Sequence, residues 1–227
     1  MEINPNVHLI PCIVANPYLI TEPSGLTLID AGLPGSHKKI LRYMASLGYA
    51  PKGLKRIIIT HADFDHVGGL AALKAATGAR VFANATEAGA MALGRSSRPL
   101  KPTNVFAKLL FGIMGRMFKA TPVQVDEFLT DGQVIPVLGG LRVLETFGHT
   151  PGHISLFAAS AGILFSGDSI VSEKNGLCGS SGSNTWDQAR SDESVRKQAA
   201  LGAKMLCSGH GPVVMDAETK FPQVADS

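Results

Sequence analysis

The sequence predicts an α+β protein of two halves, each with its own strands and helices, whose sheets pack against one another. Three observations lead there. Strand signals give way to helix signals and then do so again from about residue 121 onward. Residues able to bind a metal sit in short loops that each follow a predicted strand. With 227 residues, 45% of them hydrophobic, the chain is long enough to bury a sizeable interior.

In the first half, residues 8–15, 18–21 and 26–30 are apolar stretches separated by Asn16-Pro17 and by a Pro/Gly turn, the pattern of an antiparallel meander. Ser36 reads as the N-cap of a helix to about Leu47, with Ile40, Leu41, Met44 and Leu47 on one face and Gly48 as its stop. Residues 55–59 form a β-branched run, a buried strand, and residues 70–76 a helix, so that residues 60–69 are a strand-to-helix loop. A strand at 79–83 and a helix at 84–93 follow. Pro99 and Pro102 then break the chain, and Phe106, Leu109, Leu110, Ile113, Met114, Met117 and Phe118 recur at helical spacing with Lys108, Arg116 and Lys119 opposite. Gly112 and Gly115 weaken that helix by about 1 kcal/mol each relative to Ala.

In the second half, strands are expected at 123–128, 134–138, 141–147, 155–159 and 162–165, a Gly/Ser-rich loop at 176–183, a helix at about 187–202 and a last strand at 204–207. The whole chain, residues 1–227, reads as one domain with a helical lid or interface insertion at about 88–125.

The formal net charge of +3 is too small to argue for nucleic acid. Its distribution is uneven: between Glu87 and Asp126 there is no acidic residue, but Arg95, Arg98, Lys101, Lys108, Arg116 and Lys119 all lie there. The N-terminus has no basic region ahead of an apolar one, and no run reaches the roughly 18 apolar residues that span a bilayer. These features lead to the expectation of a cytoplasmic protein. Cys12, Cys178 and Cys207 form no CxxC pair and are expected as reduced, buried thiols.

The chemistry concentrates in His61-Ala62-Asp63-Phe64-Asp65-His66, where four side chains able to bind a metal fall within six residues. Of seven histidines, His149 and His153 lie in one further loop and His210 in another, while His8 and His37 lie outside any motif and read as surface polar residues. Asp168 also directly follows a predicted strand. Strand-end loops of this kind can converge on one edge of a sandwich.

Asp30, the 61–66 cluster, His149, Asp168 and His210 occur in the order of the landmarks of the metallo-β-lactamase-fold superfamily, which the chain therefore resembles over nearly its whole length. The resemblance implies a four-layer αββα sandwich, two mixed sheets packed face to face with helices outside. It also implies a two-metal site. Carried over by position, one ion would take His61, Asp63 and His149, the other Asp65, His66 and His210, and Asp168 would bridge them. Asp30 and His153 would orient ligands.

The family pattern His-x-His-x-Asp-His carries Asp63 at its second histidine here. By family the cofactor is two divalent ions, zinc first, but a third carboxylate lowers the charge of the centre and tilts preference toward iron or manganese, a direction that flavodiiron proteins share. The implied activity is metal-dependent hydrolysis of an ester-like bond by a metal-bound hydroxide, with Asp65 as the catalytic residue that orients it and passes a proton to the leaving group. Lactones or thioesters are favoured as small-molecule substrates, because Phe106, Leu110, Ile113, Met114 and Met117 offer an apolar, Met-rich pocket wall. The same helix, 106–118, would alternatively join two copies of the chain. The competing classes are a non-haem iron redox enzyme, a phosphodiesterase and a degenerate metal-binding module.

Overall fold

The computed structural model describes residues 1–12, 14–99, 120–173 and 176–225. The predicted helix at 106–118, with Phe106, Leu110, Ile113, Met114 and Met117, lies outside the described residues.

One sheet has seven strands in sequence order: β1 (Glu2–Asn4), β2 (Val7–Leu9), β3 (Tyr18–Glu22), β4 (Gly25–Ile29), β5 (Leu54–Ile58), β6 (Arg80–Ala83) and β7 (Glu127–Phe128). Its first four strands are the antiparallel meander, and β4, β5, β6 and β7 pair in parallel. The second sheet contains β8 (Val134–Ile135), β9 (Leu141–Glu145), β10 (Ile154–Ala158), β11 (Ile163–Gly167) and β14 (Met205–Ser208). It is antiparallel except where β14 joins β11 in parallel. A separate hairpin pairs β12 (Ile170–Glu173) with β13 (Gly176–Gly179).

Both sheets are covered on both faces, which is why their strands read as apolar runs more than as alternation. Side chains alternate between layers. From the first sheet Tyr18, Ile20, Ile29, Ile58 and Phe82 meet Leu156, Ile163, Phe165 and Cys207 of the second in the inter-sheet core. The intervening Leu19, Leu28, Ile57 and Val81 face outward onto Ile40, Met44, Leu70, Leu73 and Met91. Those residues come from α1 (Ser36–Ser46), α3 (Leu70–Thr77) and α4 (Ala85–Met91). On the far side Leu144, Phe157, Leu164 and Leu206 pack against Val195, Phe221 and Val224 of α5 (Gln188–Ala199) and α6 (Phe221–Ala225). The order helix, sheet, sheet, helix is the αββα sandwich.

Several local expectations differ from the structure. The cap of α1 is Gly35, in a left-handed conformation at φ 93°, and Ser36 is the first helical residue. The 60–69 loop contains a short helix, α2 (Phe64–Val67), which carries Asp65 and His66. The Gly/Ser-rich stretch after residue 175 begins as strand β13, because its backbone groups find partners on β12. Strand β1 and helix α6 carried too little periodic signal to be anticipated. His8 is buried on β2, with Nδ1 3.2 Å from the Tyr43 hydroxyl, and Cys178 is exposed. Cys207 is buried between the sheets, where burial pushes its thiol pKa up and leaves it a packing residue.

Candidate metal centre

The parallel pairs β4–β5 and β11–β14 send the loops that follow them out along one edge of the sandwich. Asp30 follows β4, His61 follows β5, Asp168 follows β11 and His210 follows β14. The β9–β10 connection adds His149 and His153. The seven residues expected as ligands come together in three overlapping sets: His61, Asp63 and His149; Asp65, His66 and His210; and His61, His66 and Asp168. Within each set the ligand atoms lie within 4.8 Å of one another.

Asp168 occupies the middle. Its carboxylate is 3.4 Å from His66 Nε2, 3.1 Å from His210 Nε2, 3.7 Å from His149 Nε2 and 3.9 Å from His61 Nε2. On one side Asp63 Oδ2 lies 3.3 Å from His149 Nε2, and on the other Asp65 Oδ2 lies 3.3 Å from His210 Nε2.

Each of the four imidazoles is held from behind through Nδ1. His66 Nδ1 donates to the Asp30 carboxylate at 2.8 Å and His210 Nδ1 to the Val14 carbonyl oxygen at 3.1 Å. Thr60 gives its hydroxyl proton to Asp30, so its oxygen is left to accept from His61 Nδ1 at 2.9 Å. His149 Nδ1 is 2.9 Å from the Ser180 hydroxyl. This arrangement fixes every Nε2 toward the centre, as metal-binding histidines require. His61 Nε2, His149 Nε2 and Asp168 Oδ1 are buried and have no hydrogen-bond partner among the described residues. Buried polar atoms without partners are costly, about 1–3 kcal/mol each, and a divalent cation would satisfy all three. The donor set, imidazole with carboxylate, suits zinc, iron or manganese.

Asp30 and His153 are tied to supporting roles. Asp30, at φ 60°, accepts from the Thr60 backbone N–H at 2.9 Å as well as from His66. His153 Nε2 accepts the backbone N–H of Asp168 at 3.0 Å, so Nδ1 carries the proton and donates to Thr146 at 2.8 Å. Nε2 thereby holds the Asp168 loop, and the Nδ1 bond to Thr146 fixes the ring.

The charges follow the same geometry. Burial lowers the His61 pKa, with the neighbouring His66 acting in the same direction, and burial with His149 lowers that of His153 to about 3. For His66 burial is outweighed by Asp168 and Asp30, and its pKa is raised. For His210 burial is outweighed by Asp168 and Asp65, and its pKa rises to about 10. Burial raises the pKa values of the three carboxylates, but adjoining histidines outweigh it: His149 and His61, with Arg98, at Asp63; His210 and His66 at Asp65; and His66, His210 and His61 at Asp168. All three are held below the usual carboxylate range and stay ionised.

Three residues that the sequence reading passed over complete the site. Glu87, fully buried on α4, accepts the Ala62 N–H at 2.8 Å, the Gly152 N–H at 2.9 Å and the hydroxyls of Thr150 and Ser97, both at 2.7 Å. Burial raises its pKa, and these four hydrogen bonds offset part of that rise. Arg98 and Ser96 both contact Asp63. One signal was available for Glu87: it is a carboxylate on the face of α4 that also carries Ala88 and Met91. Nothing local marked Arg98 or Ser96, whose roles depend on a contact with a residue over thirty positions away.

The sequence profile of the metallo-beta-lactamase superfamily matches residues 10–210. Two relatives from Bacillus subtilis are similar over most of both chains. A probable metallo-hydrolase, YflN, is 28% identical and is matched over 90% of this chain and 83% of its own; an uncharacterised protein, YobT, is 30% identical over 92% and 88%. A hydroxyacylglutathione hydrolase from Cereibacter sphaeroides is 34% identical over 74% of this chain, which spans 52% of that protein. Among solved structures, a metallo-beta-lactamase family protein from Thermus thermophilus superposes with a TM-score of 0.77 at 25% identity, covering 99% of this chain and 80% of that one. A metallo-beta-lactamase from Cronobacter sakazakii gives 0.70 at 28% identity, covering 93% and 77%.

Proposed function

The chain belongs to the metallo-beta-lactamase superfamily, and on that premise we propose that it is a two-metal hydrolase of an ester-like bond, with a thioester favoured over a lactone. The single observation that carries this reading is the convergence of four Nε2 atoms on the Asp168 carboxylate, each imidazole held through Nδ1. His61, Asp63 and His149 would hold one ion, Asp65, His66 and His210 the other, and Asp168 would serve both. Bound there, the ions would act as Lewis acids that polarise a carbonyl and make water nucleophilic near neutral pH.

The chain's own groups carry the remaining work. Asp65 is less buried than the other two carboxylates and remains ionised at neutral pH. Its Oδ2 therefore takes a proton from the attacking water at the rim of the site and passes it to the leaving group. His153 and Asp30 hold the bridging carboxylate and His66 in place. The preference for a thioester draws on relatives named hydroxyacylglutathione hydrolase, which act on thioesters.

The test is elemental analysis of protein purified without chelator, joined to a panel of lactone, thioester, phosphodiester and β-lactam substrates. About two equivalents of metal per chain and thioester turnover are expected. Strictly no bound metal sinks the hydrolase reading. The two sets of two histidines and one carboxylate favour one alternative, a non-haem iron redox enzyme. Iron as the bound metal, with no hydrolysis across the panel, is the result that selects it.

A further inference from the structure

Arg98 lies outside the candidate ligand set, yet its Nη2 is 2.8 Å from Asp63 Oδ2. That same oxygen is 3.3 Å from His149 Nε2 and 3.9 Å from His61 Nε2. The other oxygen, Oδ1, accepts the Ser96 hydroxyl, and Ser96 Oγ in turn accepts the Arg98 backbone N–H at 3.3 Å. Asp63 is therefore gripped on both oxygens by one short turn. The guanidinium side chain is 19% exposed and the carboxylate 10%. A pair this far removed from water is held strongly, because losing either partner strands the other charge.

A cation on a ligand oxygen competes with a metal for the same electrons, so its presence needs a reason. Charge supplies one. Two divalent ions against the three carboxylates Asp63, Asp65 and Asp168 leave one positive charge at the centre. A neutral imidazole at position 63 would leave two. The guanidinium of Arg98 restores that second charge at the one position where a carboxylate replaces the family's histidine.

We infer that Arg98 is a positioning residue for the metal centre: it orients Asp63 together with Ser96 and compensates the carboxylate's charge, so that position 63 keeps the electrostatics of an imidazole. The inference rests on the two-metal reading above. Arg98 also offsets the lower charge that the third carboxylate gives the centre.

The test uses the full chain stripped with chelator, as wild type, Arg98→Met, Arg98→Lys, Asp63→His and the Asp63→His/Arg98→Met double variant. Zinc affinity is read by competition with a chromogenic chelator, and the thermal midpoint is read before zinc is added. Arg98→Met should bind zinc about tenfold more tightly, the scale of removing one well-screened unit charge a few ångströms away, because Asp63 no longer shares its charge. It should also melt earlier when stripped. Arg98→Lys should return toward wild type in both readings. Adding Arg98→Met to Asp63→His should instead raise the stripped midpoint, the opposite sign, since Arg98 is stranded there without its carboxylate. Equal effects in the two backgrounds, or no effect of Arg98→Met with wild-type zinc binding intact, would overturn the role of Arg98 alone. Wild-type protein that takes up no zinc overturns the two-metal reading and this inference together.

Discussion

The Glu87 carboxylate and the Ala62 backbone N–H meet at 2.8 Å, which fastens α4 to the loop between His61 and Asp63. The same carboxylate holds Thr150 and Gly152, so the two histidine loops, from different sheets, share one buried anchor. The charge is costly to bury, and the four donors around it are what keep it there.

Glu87→Gln is expected to lower stability by about 2–3 kcal/mol, because an amide offers a single acceptor oxygen and turns its NH₂ toward groups that themselves donate. Urea unfolding of the metal-free protein measures this. A midpoint equal to wild type would mean that the anchor is dispensable.

The metal-free protein should be most stable near pH 6.5 and lose stability on both sides. His66 and His210 have raised folded pKa values, so their contribution is complete below about 6.5 and is lost as pH rises toward about 10 for His210. His61 and His153 have lowered values, so theirs is complete above about 6.5 and is lost as pH falls, toward about 3 for His153. Asp63, Asp65 and Asp168 are depressed and add a further loss as pH falls below about 3.8. Thermal midpoints across pH 5–10 read the profile, and zinc should flatten its alkaline side by taking the place of the protons. A profile that is flat without metal counts against these assignments.

Gly209→Ala should abolish metal binding while leaving most of the fold intact. A Cβ at this position would collide with Asp168 Oδ1 and press on His66 Cε1 at 2.8 Å, atoms that cannot yield without disturbing the centre. Zinc titration together with far-UV circular dichroism separates the two effects. Normal zinc uptake by the variant would show that the loop relaxes freely.

Asp30→Asn should weaken zinc binding by about 10–100-fold, the range for groups that orient a metal-bound histidine. The amide removes the negative charge behind His66 Nδ1 and leaves the imidazole's direction less fixed. Competition with a chelator gives the number, and an affinity equal to wild type would assign Asp30 to packing alone.

The sequence by itself determined the alternation of strands and helices, the apolar runs of sheets covered on both faces, and the identity of the candidate ligands. These are local properties: a periodicity, a turn residue, or four metal-type side chains within six positions. Strands β1 and β13 escaped it because three- or four-residue strands carry little periodic signal and owe their form to pairing with β2 and β12. The tertiary structure alone decided how the candidate site is held. Which nitrogen of each histidine faces inward depends on Asp30, Thr60, Ser180 and Val14, residues whose proximity exists only once the sheets have packed. The largest change concerns Asp63. Its charge is visible in the sequence, but its partner Arg98 is not, because an ion pair across 35 positions is a property of the fold and leaves no pattern in the chain.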